Sequence, residues 1–176
     1  SMSIYSLRDI MKSAKCILLY SGGLDSLLAG KILLEQGIKV TGLHFILPYF
    51  PPDLNPEELK VSMITKQIGL HVTHVRCGRD YIEMLKNPLH GYGKHINPCI
   101  DCKIFFIRKA IEIMNDSGAD FIATGEVVGQ RPMSQGKQSL DVVAKNAGYP
   151  DRILRPLSAK LLPETAPERS GKVDRN

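Results

Sequence analysis

Ile17-Leu18-Leu19-Tyr20-Ser21-Gly22-Gly23-Leu24-Asp25-Ser26, or ILLYSGGLDS, runs from an apolar stretch into two glycines flanked by serines. The apolar half predicts a buried strand over 16–20. Leu27, Leu28, Ile32 and Leu33 then repeat at helical spacing and predict a helix over 25–36 with those four residues inward. The glycines therefore sit where a strand ends and a helix begins. Orphan backbone N–H groups and the helix dipole favour an anion at such a junction. Gly22 and Gly23 allow the backbone to wrap closely around a phosphate, and the Ser21 and Ser26 hydroxyls can donate to its oxygens. Asp25 suits a helix cap or a magnesium partner. The bland alternative is a capped turn, and the stretch has neither the G-x-x-x-x-G-K-[ST] nor the G-x-G-x-x-G pattern.

Outward from this junction, strand and helix patterns alternate. IKVTGLHFI at 38–46 predicts the next strand, and LPYFPPDLNP a proline-rich loop. Asn55 is placed to cap a helix running from Pro56 to about Ile68. LHVTHV at 70–75 reads as a third strand, followed by a short helix near 80–86. NPLHGYGKHINP at 87–98 has turn residues and no periodicity, so a loop is expected there. Ile104, Ile107, Ile111 and Met114 mark a long helix over about 99–116. DFIAT at 120–124 and RILRPL at 152–157 give two further strands, with a helix around 138–147 between them, and a short helix is expected near Leu7–Met11. Strands separated by helices imply a three-layer α/β/α, doubly wound, mainly parallel sheet, with ligands at the carboxyl ends of the strands. Residues 1–162 form one domain in this reading, and 163–176 a polar tail or a linker to a further C-terminal region.

The chain's 176 residues fit one core. A hydrophobic share of 43% with 23% charged residues is that of a soluble globular protein. No apolar run approaches the roughly 20 residues of a membrane-spanning helix, so a cytoplasmic protein with no membrane partner is expected. Lys and Arg outnumber Asp and Glu by 23 to 18, a net charge of +5 that is compatible with a polyanionic partner without requiring one. The four cysteines, without a secretion signal, do not suggest a disulfide framework. Cys16 opens a buried strand and reads as a small core residue.

SGGLDS resembles the SGGxDS signature of the PP-loop ATP pyrophosphatases, an adenine nucleotide alpha hydrolase-like group that leaves AMP on an activated substrate and releases pyrophosphate. Within it the chain is most similar to the tRNA thiolation enzymes, especially the catalytic domain of tRNA 4-thiouridine synthetase. GLHF at 42–45 matches that family's second-strand ending. TGEVVGQRPMSQ at 124–135 is close to its T-G-E-x-x-G-Q-x-x-S-Q segment, with one extra residue before Ser134, and LRPL at 154–157 follows as the next strand does there. The resemblance implies ATP and Mg2+ as cofactors. It implies an ATP site made of Leu19, Tyr20, the loop Ser21, Gly22, Gly23, Asp25 and Ser26, then His44, Phe45, Lys103, Gly125 and Gln135. Physically, Phe45 can stack on adenine, Lys103 can meet a phosphate, Gly125 permits close backbone approach and Gln135 can hydrogen-bond. Taken alone, Phe45 is as readily a core strand residue and Lys103 a solvated lysine.

NPCIDC places Cys99 and Cys102 in a C-x-x-C at the start of a helix, where the dipole stabilises thiolate. Such a pair can bind a metal, hold an iron–sulfur cluster or shuttle sulfur as a persulfide or disulfide. The stretch is similar to N-P-D-x-x-C of the tRNA 2-thiouridylases, whose final Cys carries sulfur; on that match Cys102 is the nucleophile and Cys99 stands where Asp is usual. In relatives with a [4Fe–4S] cluster the same C-x-x-C supplies two ligands and a later Cys the third. No cysteine follows Cys102 here, which leaves three alternatives: a chain that stops short of that ligand, Cys77 in its place, or no cluster. His90 and His95 flank the pair as further candidate ligands or as ordinary loop histidines.

The resulting expectation is an ATP-dependent sulfurtransferase. It adenylates a carbonyl oxygen, that of a tRNA uridine, with Asp25, Cys99 and Cys102 as catalytic residues. The partners implied are tRNA and a sulfur donor protein or sulfide, and a homodimer is compatible with the reading. The competing readings are a PP-loop ligase or amidotransferase with a nitrogen nucleophile, and a non-catalytic adenine-nucleotide-binding module.

Overall fold

In a computed structural model, residues 14–53, 55, 60–87, 98–125, 153–154, 156, 169 and 172–173 are described, with backbone only at 60, 61 and 98–100. The expected helices near Leu7–Met11 and 138–147, the loop from 88 to 97 and most of the polar tail lie outside them. So do the first turn of the helix expected from Pro56, His90, His95 and Gln135.

The elements follow the alternation in the sequence. They are β1 (Lys15–Leu19), α1 (Leu24–Glu35), β2 (Lys39–Ile46), α2 (Lys60–Ile68), β3 (His71–Arg76), α3 (Arg79–Lys86), α4 (Pro98–Ser117), β4 (Phe121–Thr124) and β5 (Ile153–Leu154). The five strands form one sheet in the order β3-β2-β1-β4-β5, and every pairing is parallel. Period-two alternation sends Cys16, Leu18 and Tyr20 to one face and Ile17 and Leu19 to the other. The first face packs against α1 and, through Leu70 and Ile68, the end of α2. The second packs against Ile104, Ile107, Ala110, Ile111 and Met114 of α4, as the helical spacing predicts. Helices on both faces of a parallel sheet give the expected three-layer, doubly wound α/β fold.

One packing expectation is corrected. Leu28 of α1 is 40% exposed; Leu33 is buried as expected, Leu27 and Ile32 are half-buried, and the other buried residues of the helix are the small Ser26, Ala29 and Gly30. A β-carbon on Gly30 would lie 3.0 Å from Leu18 Cδ2, so small residues bring this helix close to the sheet. Apolar spacing alone could not show this, because the helix is apolar on more than one side.

The strand order also locates the site. From β1 the chain moves outward to β2 and β3, then returns to pair β4 on the other side of β1. The order therefore reverses between β1 and β4, and a crevice opens at their carboxyl ends. Ser21–Gly23 leave β1 at that point and Gly125 follows β4. The opposite end of the sheet is fastened by Asp120, whose Oδ2 accepts from the Lys15 amide at 2.9 Å and whose Oδ1 pairs with Lys172 at 2.7 Å.

Candidate active site

The turn after β1 is held open by its own side chains. Gly22 has φ 88°, a left-handed conformation that favours glycine. The Ser26 hydroxyl donates to the Gly23 carbonyl at 3.0 Å and accepts from the Ser21 amide at 3.3 Å. The Ser21 hydroxyl accepts from the Gly23 amide at 3.3 Å. Gly23 itself is the cap of α1, with no side-chain capping bond. Asp25 thus does not cap the helix; among the described residues its carboxylate has neither a hydrogen bond nor an ion pair. A β-carbon on Gly23 would meet only Ser21 Oγ at 3.5 Å, an ordinary contact. Protein packing therefore does not demand glycine at 23.

Gly125 answers to a different constraint. A β-carbon there would sit 2.5 Å from the Ser26 nitrogen and 2.7 Å from the Asp25 carbonyl carbon. The close approach expected at this glycine is thus made by the loop's own helix.

Beside the loop lies a cavity of about 290 Å³ lined by Leu19, Tyr20, Ser21, Leu43, His44, Phe45, Leu47 and Phe106. Five of these are expected nucleotide-site residues. Leu43, Leu47 and Phe106 are not; Leu43 reads as a core strand residue and Phe106 as part of an apolar helix. Phe45 stacks on Phe106, with ring centroids 4.7 Å apart at 20°. Tyr81 stacks on Phe106 in turn, at 5.8 Å and 12°, and its hydroxyl lies 3.6 Å from Cys102 Sγ. A continuous aromatic stack therefore leads from the cavity to the thiol.

Cys102 is half-buried in the first turns of α4, and Lys103 follows it without lining the cavity. Of Cys99 only the backbone, in the same first turn, is described. Burial and the hydrogen bond to Cys102 push the Tyr81 hydroxyl well above its ordinary pKa, so it stays protonated and can donate to sulfur. The Asp80–Lys109 ion pair, 2.8 Å, ties α3 to α4 and so keeps Tyr81 beside Cys102. Cys77 continues β3, its amide bonded to Ile46 O at 2.8 Å. Burial, then the Asp80 carboxylate, push its thiol up to about 11, making it a poor thiolate ligand. Among the described residues no three His, Cys, Asp or Glu side chains come together as a metal site.

On the other side of the cavity, His44 Nδ1 lies 3.0 Å from His74 Nδ1, and His74 Nε2 lies 3.2 Å from Ser62 Oγ. Sequence reading missed His74 and Ser62. A histidine in a strand and a serine in a helix carry no motif, although GLHF and LHVTHV each have a histidine next to last, toward the carboxyl edge. It also missed Thr124, whose buried hydroxyl has no hydrogen-bond partner among the described residues.

The model of the family described as thiamine biosynthesis protein ThiI matches residues 11–160 of the chain. The chain belongs to the ThiI family. Curated relatives include the tRNA-specific 2-thiouridylase MnmA of Petrotoga mobilis, 33% identical over 65% of this chain and 36% of the relative. A probable tRNA sulfurtransferase of Alkaliphilus metalliredigens is 31% identical over 84% of this chain and 36% of its own length. Among solved structures, a 4-thiouridine synthetase–RNA complex with bound ATP superposes with a TM-score of 0.61 and 25% identity, covering 82% of this chain and 37% of that one. A predicted tRNA methyltransferase subunit from Methanocaldococcus jannaschii shares the fold at a TM-score of 0.54 and 19% identity, over 82% of this chain and 68% of its own. The ThiI-family domain seen here thus has the PP-loop ATP-pyrophosphatase fold, and the chain spans little more than a third of the curated relatives named. Among the described residues no helix is long and apolar enough to cross a membrane.

Proposed function

We propose that the chain is the adenylating and sulfur-transferring domain of a tRNA sulfurtransferase. The observation that carries this reading is the aromatic stack, Phe45–Phe106–Tyr81, linking a cavity beside the SGGLDS loop to the Cys102 thiol. The loop amides and the hydroxyls of Ser21 and Ser26 hold the triphosphate of ATP, and the cavity takes the nucleoside, with Phe45 and Phe106 as its apolar wall. Asp25 is the carboxylate that would hold Mg2+, which when bound offsets charge on the leaving pyrophosphate. The carbonyl oxygen of a tRNA uridine attacks the α-phosphorus, pyrophosphate leaves, and AMP remains on that oxygen. The terminal sulfur of a persulfide on Cys102, loaded by a sulfur donor, then attacks the activated carbon and AMP departs. Cys99 attacks the Cys102 sulfur of the resulting mixed disulfide, releasing the thiolated base and leaving a Cys99–Cys102 disulfide for a dithiol reductant. Among the described residues no three His, Cys, Asp or Glu side chains gather at Cys102, and the sulfur route proposed runs through the thiol pair. A ligase with a nitrogen nucleophile would leave the position of Cys102 without a role.

The test is pyrophosphate release from ATP with and without a tRNA transcript, together with sulfur incorporation into that RNA. Asp25→Ala should lower pyrophosphate release at least about ten-fold. Cys102→Ser should retain it and abolish sulfur incorporation. No stimulation by tRNA together with an undiminished Asp25 variant would defeat the proposal.

A further inference from the structure

Tyr49 and Phe50 are two aromatic side chains that the fold leaves in water. They are 72% and 43% exposed, on the segment that follows β2. That segment is a turn closed by the Phe50 amide, which donates to Leu47 O at 3.1 Å. Arg76, paired in register with Ile46 at the end of β3, donates from Nη1 to Pro51 O at 3.4 Å and ties down the far side of the turn. The two rings are held side by side, with centroids 5.4 Å apart and planes tilted by 30°. Scattered exposed apolar residues need no explanation, but a fixed pair of rings with an arginine beside them is how single-stranded nucleic acid is met.

The position of the pair narrows what it can hold. Leu47, at the base of the turn, lines the cavity. On the other side, the Tyr81 hydroxyl is pushed up by burial first, then by Cys102, and also by Tyr49, so Tyr49 and Tyr81 are neighbours. Tyr81 is the ring whose hydroxyl lies 3.6 Å from Cys102 Sγ. The exposed rings therefore stand beside both the cavity wall and the Cys102 end of the aromatic stack. Two rings offer about the area of a base, whereas a stable protein interface needs about 800 Å² on each side. A base whose carbonyl carbon is to meet sulfur at Cys102 must leave its own helical stack and loses its neighbours in doing so. An aromatic face replaces that contact whatever the sequence, because every base has a π face.

We propose that Tyr49 and Phe50 are a stacking platform for an unpaired base of the RNA substrate, the uridine turned out toward Cys102. This rests on the sulfurtransferase reading and adds the form in which RNA is taken, an unstacked base and not a duplex. The chain contains no tryptophan, so Tyr49→Trp gives the full chain a single indole at this place, whose fluorescence a stacked base quenches. Titration with an oligouridylate should quench it, and the same strand paired with oligoadenylate should not. Phe50→Ala added to that variant should weaken oligouridylate binding about ten-fold. In the otherwise native chain, Tyr49→Ala should raise the KM for a tRNA transcript about ten-fold, and Tyr49→Phe, which keeps the ring, should restore it. ATP affinity by calorimetry should be unchanged in both, since neither ring lines the cavity. Equal quenching by the duplex overturns the proposal, because phosphates then carry the contact. No quenching by either RNA also overturns it and points to a protein as the partner. Quenching by the single strand, with no stimulation of pyrophosphate release by tRNA, defeats the sulfurtransferase reading and leaves the platform standing. Stimulated release and thiolation that are undiminished in Tyr49→Ala do the reverse.

Discussion

Gly125 and Ser26 are in backbone contact: a β-carbon on Gly125 would stand 2.5 Å from the Ser26 nitrogen and 2.6 Å from its α-carbon. The end of β4 is thereby the back wall of the loop after β1. Gly125→Ala cannot be absorbed by a side-chain rotamer, because the atoms it meets are main chain. Either β4 retreats or α1 lifts, and the Ser26 hydroxyl loses its bonds to Ser21 and Gly23. The expected cost is about 1–3 kcal/mol of stability, with at least about a ten-fold loss of ATP affinity. Thermal unfolding and calorimetric titration of the same variant would measure both. An alanine variant with wild-type affinity would contradict this account of the contact.

Thr124, one residue earlier, is expected to behave in the opposite sense. Its hydroxyl is buried and has no partner among the described residues, on a strand residue paired in register with cavity-lining Leu19. An unsatisfied buried hydroxyl costs about 1–3 kcal/mol. Thr124→Val keeps the shape and removes the polar atom, so the ligand-free protein should melt about 2–4 °C higher. If the hydroxyl is held in reserve for ligand, the same variant binds ATP more weakly. A lower melting temperature would show that Thr124 is satisfied in solution.

Much of this architecture is legible in the chain. Apolar runs and the glycine at 37 placed β1, β2, β3 and β4 to within a residue or so, because buried parallel strands are written as short continuous apolar segments. Ile104, Ile107, Ile111 and Met114 marked the inner face of α4 for the same reason. The turn after β1 was legible because paired glycines between an apolar run and a helical pattern mark a strand–helix junction. The neighbours of the loop were not. Phe106 and Tyr81 look like core residues until their stacking is seen, and α2 turns Met63 outward and Ser62 inward against His74. Contacts between distant segments that run against local polarity leave no periodic trace.

Tyr81→Phe tests the link between the stack and the thiol. The substitution keeps the ring on Phe106 and deletes only the hydroxyl 3.6 Å from Cys102 Sγ. A thiolate at 102 then loses a donor, so alkylation by iodoacetamide at pH 7 should slow about three- to ten-fold. Mass spectrometry of the peptide carrying Cys102 separates this rate from those of Cys77 and Cys99. ATP binding should be unchanged, since the cavity wall is intact. An unaltered alkylation rate would remove Tyr81 from the sulfur-transfer step.

His44 makes the fold sensitive to mild acid. Burial first, and the neighbouring His74 second, disfavour its protonated form, so its folded pKa lies below the ordinary 6.5 that the unfolded chain retains. Below that ordinary value the unfolded state binds the proton more readily, and acid favours unfolding. The stabilisation is whole above about pH 6.5 and is lost as pH falls through 6.5 toward the folded value. Asp80, held below the usual carboxylate value chiefly by its hydrogen bond to Lys109, acts in the same direction but only below its ordinary 3.8. The first loss begins near pH 6.5 and the second only near 3.8. Melting temperatures followed from about pH 8 to 3 should therefore fall in two stages. His44→Gln should remove most of the first stage, which Asp80→Asn should leave in place while reducing the second. A wild-type curve that stays flat down to about pH 4 would mean that His44 is not held neutral by its surroundings.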